Sequence, residues 1–232
     1  MEGKVIVVTG AFGALGRVVV EAAMARGAST VALDSAPSPS ADLVARFGPR
    51  ALILAGVNLA LAAEAQTAMA AVKARFGRID ALINIAGGFL WEKTDEGTAE
   101  SWERMFAANL MSTVNASRAA LPALLESGAG RIVNVGALAA LKAGAGMGPY
   151  AASKSGVHRF TESLAEETKG RGVTVNAVLP SVIDTPGNRA SMKDADFSRW
   201  VAPGDLAAVI FFLASREAGA VTGALLPVTG WV

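Results

Sequence analysis

Lys4-Val-Ile-Val-Val-Thr9 runs without a break into Gly10-Ala-Phe-Gly-Ala-Leu-Gly16, and the reading of this stretch decides the fold. The first half is a β-branched run that suits a buried strand. The second is a glycine-rich turn that opens a helix from about Ala14 to Arg26, with Gly27 as its C-terminal stop. Gly10, Gly13 and Gly16 allow a tight turn and let backbone approach a pyrophosphate resting on the helix N-terminus. A glycine-rich turn by itself is often only a connection; a strand before it and a helix after it supply the context that confirms the reading. Gly10, Phe12, Gly13, Ala14, Leu15 and Gly16 are therefore the candidate phosphate contacts.

Moving outward, a second strand over Thr30 to Leu33 ends in Asp34. A carboxylate about twenty residues beyond the glycines can accept both hydroxyls of an adenosine ribose and would repel a 2′-phosphate. Ser35, Ala36 and Pro37 follow, with no Arg to receive such a phosphate, so the expectation is NAD rather than NADP. Ser35 to Ala41 reads as a polar, Pro-rich, mobile loop at the adenine side. A third strand, Ala51 to Ala55, leads to Asn58 as a candidate for the adenine edge. A helix over Leu61 to Phe76 and a fourth strand over Ala81 to Ile85 come next. Ala86, Gly87 and Gly88 then place small residues where backbone passes a ligand. A long helix from about Glu100 to Leu124, strands over Arg131 to Val135, Thr174 to Val178 and Leu225 to Val228, and a helix over Pro149 to Lys169 complete the pattern. This alternation predicts a single α/β domain across 1–232, a doubly wound parallel sheet with its ligand at the carboxyl ends of the strands.

Composition agrees with that class and excludes others. The chain of 232 residues is 52% hydrophobic and 18% charged, which suits buried parallel strands under Ala-rich helices. A net charge of +1 gives no electrostatic case for nucleic acid or an anionic membrane. The absence of cysteine excludes a disulfide framework and thiol chemistry. Met1-Glu2-Gly3-Lys4 runs straight into a strand, so no signal peptide is expected, and the apolar run Ala207 to Ala214 is too short to span a bilayer. The expected setting is cytoplasmic.

The chemistry falls on Tyr150-Ala-Ala-Ser-Lys154, which holds the only tyrosine. Residues four apart share a helix face, so the phenol and the ammonium can lie together. A nearby cation lowers a phenol pKa from about 10 and makes it a usable proton donor. A bare Tyr-x-x-x-Lys is usually only a helix surface, and it is the surrounding motifs that reverse the reading. Asn109, set among Met105, Phe106, Ala107, Leu110 and Met111, either holds a water for proton relay or only ties backbone together. His158, the sole histidine, reads as an interface or satisfied helix residue rather than a catalytic one, and Trp102 and Trp231 read as packing, within the chain or at a subunit contact near the C-terminus.

Taken together, Thr9-Gly-x-x-x-Gly-x-Gly16, Asp34, Ala86-Gly87, Asn109 and Tyr150-x-x-x-Lys154 resemble the short-chain dehydrogenase/reductase family over essentially the whole chain. The resemblance implies a seven-stranded Rossmann-type domain, associating as a homotetramer or homodimer through its two long helices. It implies Tyr150 as general acid/base, Lys154 on the nicotinamide ribose, and Asn109 on a relay water. Thr185 would meet the nicotinamide carboxamide, and Pro180 and Val182 would shape that end of the cofactor site.

The sequence departs from the family at one chemically important point. The family's usual serine, thirteen positions before the tyrosine, is Ala137, and no hydroxyl occurs between Val135 and Met147. Losing an oxyanion donor typically costs about 10²–10³ in rate. Ile85 replaces the usual Asn before Ala86, and Ser181 the usual Gly after Pro180. Gly136-Ala-Leu-Ala-Ala140, Gly146-Met-Gly-Pro-Tyr150, Asp184-Thr-Pro-Gly-Asn-Arg-Ala-Ser-Met192 and Ala195-Asp-Phe-Ser-Arg-Trp200 are similar to the dihydropteridine reductase subgroup. That likeness implies NADH-dependent hydride transfer to a quinonoid dihydropterin, where no carbonyl oxyanion forms. The alternatives are reduction of a ketone or 3-oxoacyl compound, or oxidation of an alcohol, without the serine, and a non-catalytic NAD sensor. Gly88, Phe89, Ala137, Met147 and Asn188 are the candidate substrate contacts, with Trp91 near Phe89. The stretch from Leu179 to Arg199 is too long for a simple connector and reads as a substrate lid, pinned to the body by Asn188, Arg189 and Asp196.

Overall fold

A computed structural model describes residues 1–48 and 51–232. Strand β1 (Val5–Thr9) leads through the glycine turn to α1 (Ala14–Ala25) and then to β2 (Ser29–Leu33). Helix α2 (Ala41–Phe47), β3 (Ala51–Leu54), α3 (Ala62–Phe76) and β4 (Ala81–Asn84) follow. The second half carries α4 (Ala99–Met105), a π-helical turn over Phe106–Met111, and α5 (Ser112–Glu126). It continues with β5 (Gly130–Val135), α6 (Gly148–Thr168), β6 (Val173–Pro180), α7 (Pro186–Ser191), α8 (Pro203–Leu213) and β7 (Leu225–Val228).

The seven strands form one parallel sheet in the order β3-β2-β1-β4-β5-β6-β7. Alternate side chains serve opposite faces, as the two-residue period of a strand requires. Ile6, Val8, Ile83, Val133 and Val178 pack beneath α1 and α8 through Val19, Val20, Leu206 and Ile210. Val5, Val7, Leu82, Ile132 and Val175 pack beneath α3, α5 and α6 through Met69, Val72, Ala120 and Leu164. The chain winds from β1 out to β3 and returns at β4 on the other side of β1, which opens the crevice at the carboxyl ends of these two strands.

The strand assignments agree with the sequence reading to within two residues at each end, and β7 agrees at both ends. Three helices escape that reading. Helix α2 is one short amphipathic piece just after the Pro-rich loop, capped where the Ser40 hydroxyl accepts the Leu43 amide. Helix α8 includes the apolar run judged only for membrane length, and it is apolar because Leu206, Ala207, Ile210, Phe211 and Leu213 are all buried. Helix α7 lies inside the segment read as an irregular lid. The helix expected over Glu100 to Leu124 is continuous but widened by the π turn around Asn109. Such turns frequently mark functional positions. Among the described helices none is long and apolar enough to cross a membrane.

Candidate active site

The rim of the crevice is built first by backbone and by Thr9. The Thr9 hydroxyl accepts the amides of Ile85 and Ala86, both at 3.1 Å, so the ends of β1 and β4 are tied side by side. Gly10 lies at φ +64, and a Cβ there would stand 2.8 Å from the Ala86 nitrogen. A Cβ on Gly16 would collide with the Gly10 carbonyl oxygen. These glycines therefore serve a close backbone approach, as a phosphate cradle needs.

A cavity of about 710 Å³ opens over this turn, lined by Gly10, Phe12, Gly13, Ala14, Leu15, Gly16, Asp34, Asn58, Ala86 and Gly87. Ten of the residues expected at a cofactor from the sequence are thus brought together. The Asp34 carboxylate accepts the Phe12 amide on Oδ2 and the Ala36 amide on Oδ1, each at 2.9 Å. The carboxylate so fixes the turn while still facing the cavity. Asn58 caps the approach to α3, its Oδ1 accepting the Ala60 amide at 3.0 Å. Arg104, Ala107, Ala108 and Ser112 also line this cavity, and the sequence reading singled out none of them for this site. They lack a motif, and it is the fold that brings this stretch of α4, the π turn and α5 to the cavity.

A second cavity of about 1150 Å³ adjoins the first, both being lined by Ile85 and Gly87. Tyr150 and Lys154 line it, with Gly88, Phe89, Ala137, Met147 and Asn188, which the sequence reading named as substrate contacts, and Pro180 and Val182, which it named for the cofactor. Trp91, Leu138, Leu141 and Met192 add to an apolar wall. Phe89 meets Tyr150 edge-on, with ring centroids 4.9 Å apart. Trp91 is held over Gly146 by its indole N–H, which donates to the Ala145 carbonyl at 3.0 Å. Thr185 lies outside the linings of both cavities; its hydroxyl accepts the Asn188 amide at the start of α7.

The electrostatics correct one expectation. Burial pushes the Tyr150 phenol up to about 12, and burial pushes the Lys154 ammonium down to about 8. Lys154 Nζ donates to the Val135 carbonyl at 2.7 Å. Desolvation, which penalises the charged form of both groups, outweighs the attraction read from their spacing. Asn109 is committed to protein partners. Its Oδ1 accepts the Gly88 amide at 2.8 Å, and its Nδ2 donates to the Gly88 carbonyl at 3.1 Å and the Ser153 hydroxyl at 2.9 Å. The side chain therefore ties Gly88 to the π turn and to α6.

Ala137 is buried, and its amide donates to His158 Nε2 at 3.3 Å. His158 is therefore a satisfied helix residue, with burial foremost and the charges of Arg159 and Lys154 next in pushing its pKa down to about 4. The cavity's other hydroxyls are occupied, Ser181 donating to the Thr229 carbonyl and Ser191 to Gly187. The polar side chains expected to pin the lid to the body bond mostly within it. Arg189 forks onto Asp184 at 2.6 and 2.7 Å, Asn188 donates to the Ile183 carbonyl, and Asp196 accepts from Ser198. Links outside the segment come from Ser181 on the Thr229 carbonyl and from Arg199, which donates to the Trp231 carbonyl. Trp231 itself is 80% exposed, so it does not pack within the chain.

A family model described as short chain dehydrogenase matches residues 4–196. The chain belongs to the short-chain dehydrogenases. It is 32% identical to the 3-oxoacyl-[acyl-carrier-protein] reductase FabG of Salmonella typhimurium, covering 99% of this chain and 97% of the relative. It is 35% identical to the D-threitol dehydrogenase of Mycolicibacterium smegmatis, covering 99% and 93%. A solved short-chain type dehydrogenase/reductase from Mycobacterium ulcerans superposes with a TM-score of 0.92 at 25% identity, covering 100% of this chain and 90% of that one. Short-chain dehydrogenases bind a nicotinamide dinucleotide. The glycine cradle that a Cβ would fill, and the two adjoining cavities, one lined by Asp34 and the other by Tyr150, fit that group.

Proposed function

We propose that this short-chain dehydrogenase interconverts a ketone, of the 3-oxoacyl or polyol-derived kind, and its alcohol, with NAD(H) as the preferred cofactor. The observation that carries the reading is the adjacency of the two cavities, which share Ile85 and Gly87 in their linings, with Tyr150 and Lys154 lining the second. Asp34, beside the glycine turn with no neighbouring cation from its own loop, supports NAD over NADP. The two curated relatives, named for a 3-oxoacyl reductase and a polyol dehydrogenase, favour a carbonyl or alcohol over a pterin.

Gly10, Phe12, Gly13, Ala14, Leu15 and Gly16 would hold the diphosphate, Asp34 and Asn58 the adenosine end, and Ala86, Gly87, Pro180, Val182 and Lys154 the nicotinamide end. A bound nicotinamide supplies or accepts the hydride. Tyr150 gives its proton to the carbonyl oxygen in reduction and takes it back in oxidation. A phenol raised to about 12 is protonated throughout the neutral range, so Tyr150 enters the reduction with its proton in place. Lys154, held at Val135, restrains the phenolate once the proton has left. Because the wall at Ala137 offers no hydroxyl, Tyr150 must polarise the carbonyl as well as protonate it. The segment 179–199, which lines the substrate cavity through Pro180, Val182, Ile183, Asn188 and Met192, is read as the lid. Association of subunits through the α4–α5 and α6 helices is part of the same proposal, supported by the exposed Trp102 and Met111.

One observation favours a second reading, reduction of a quinonoid dihydropterin. Ala137 and Phe89 give the cavity an apolar wall that suits a ring needing only a proton on nitrogen. Turnover of NADH with ketones, 3-oxoacyl thioesters and in situ quinonoid dihydropterin, in wild type and Ala137→Ser, separates the two. Carbonyl turnover that rises in the serine variant supports the first reading. Turnover on the pterin alone, unchanged by the serine, replaces it with the second. NADH binding without turnover on any acceptor would mean a sensor.

A further inference from the structure

The dinucleotide cavity has only two ionisable side chains among its described lining residues, Asp34 and Arg104. A dinucleotide brings two phosphates into it, and the glycine turn has already spent part of its donor capacity. The Phe12 amide is given to Asp34 and the Gly13 amide to the Gly10 carbonyl, at 2.9 and 3.2 Å. What remains is the start of α1, whose uncommitted amides carry only partial charge. Asp34, fixed at the same turn, opposes a phosphate. A cation in the lining is the missing complement.

Arg104 is the one cation of the described lining. It lies in the last turn of α4, one turn before Ala107 and Ala108, and is the one long side chain that this helix gives to the lining. It lines the dinucleotide cavity and does not line the substrate cavity. Among the described residues no ion pair or hydrogen bond engages its guanidinium, although Glu100 and Glu103 lie on the same helix. We infer that Arg104 reaches across the crevice to the cofactor's diphosphate, clamping it against the N-terminus of α1. The inference rests on the nicotinamide-dinucleotide reading of the cavity and adds a binding residue to it. A guanidinium is suited to the task because it is permanently charged and its forked N–H groups match phosphate oxygens.

The test is equilibrium binding, read by NADH fluorescence and by calorimetry for ADP-ribose and adenosine, at low and high salt. Arg104→Ala should weaken NADH and ADP-ribose about tenfold, the scale of one partly exposed charge-assisted hydrogen bond. It should also flatten the salt dependence of both, and leave adenosine, which has no phosphate, unchanged. Arg104→Lys should recover part of the loss. Equal affinities for wild type and Arg104→Ala at low salt would overturn the inference, as would an equal loss on adenosine, which would mark a general effect on the pocket. Failure of wild type itself to bind NADH or ADP-ribose would overturn the cofactor reading beneath it, a separate and recognisable outcome.

Discussion

Replacing His158 by Gln should flatten the acid limb of the stability profile. The ring is 2% exposed and its Nε2 accepts the Ala137 amide, so the folded protein keeps it neutral with the proton on Nδ1. Gly136 leaves it no room to move, since a Cβ there would stand 2.5 Å from Nε2 and 2.6 Å from a Leu179 methyl. Burial first, and then the charges of Arg159 and Lys154, lower its pKa from 6.5 to about 4. The unfolded chain binds a proton below about 6.5 that the folded chain refuses until about pH 4. The stabilisation is therefore complete above pH 6.5 and is lost as the pH falls toward 4. At about 1.4 kcal/mol for each pH unit, the loss reaches about 3 kcal/mol. Asp80 is also held low; burial acts against it, but Arg78, the Val5 amide and Lys4 prevail, so its own loss falls below its ordinary value of 3.8 and outside this window. Urea denaturation at intervals from pH 7 to pH 4 measures the effect. Wild type should lose about 3 kcal/mol more than His158→Gln across that range. Parallel slopes for the two proteins would refute the argument, and with it the placement of the neutral ring behind the Ala137 wall.

Three further outcomes follow from the same geometry. Tyr150→Phe keeps the edge contact with Phe89 and should lower turnover by about 10²–10⁴ while NADH affinity is unchanged, so undiminished turnover would remove Tyr150 from its role. Gly16→Ala forces a methyl onto the Gly10 carbonyl; calorimetry should find cofactor binding lost, and retention at wild-type affinity would show that the turn can shift freely. Asn109→Leu leaves the Gly88 amide and carbonyl without partners, which should cost about 2–4 kcal/mol in thermal or urea unfolding, and a cost below about 1 kcal/mol would mean that water replaces it easily.

The strands, the glycine turn and the doubly wound class were legible in the sequence because each is a local property. β-Branched runs, a turn that tolerates no Cβ, and helices returning at regular intervals do not depend on distant residues. The order of the motifs also placed Asp34, Tyr150, Lys154 and most of the lining residues at one end of the sheet, since parallel winding brings every strand's carboxyl end to the same side. What only the tertiary structure decided is whatever depends on surroundings. The spacing of Tyr150 and Lys154 suggested a lowered phenol; burial by segments as far apart as 85–91, 135–147 and 180–192 raised it instead. Asn109 carried two readings until the π turn aimed it at Gly88. Thr185 turned out to start a helix, and the lid's polar residues to hold the lid together. Arg104 was one surface cation among 21 Lys and Arg residues, and nothing in its neighbours along the chain set it apart. Desolvation and reach sum over residues that meet only when the chain has folded, so periodicity and spacing carry no record of them.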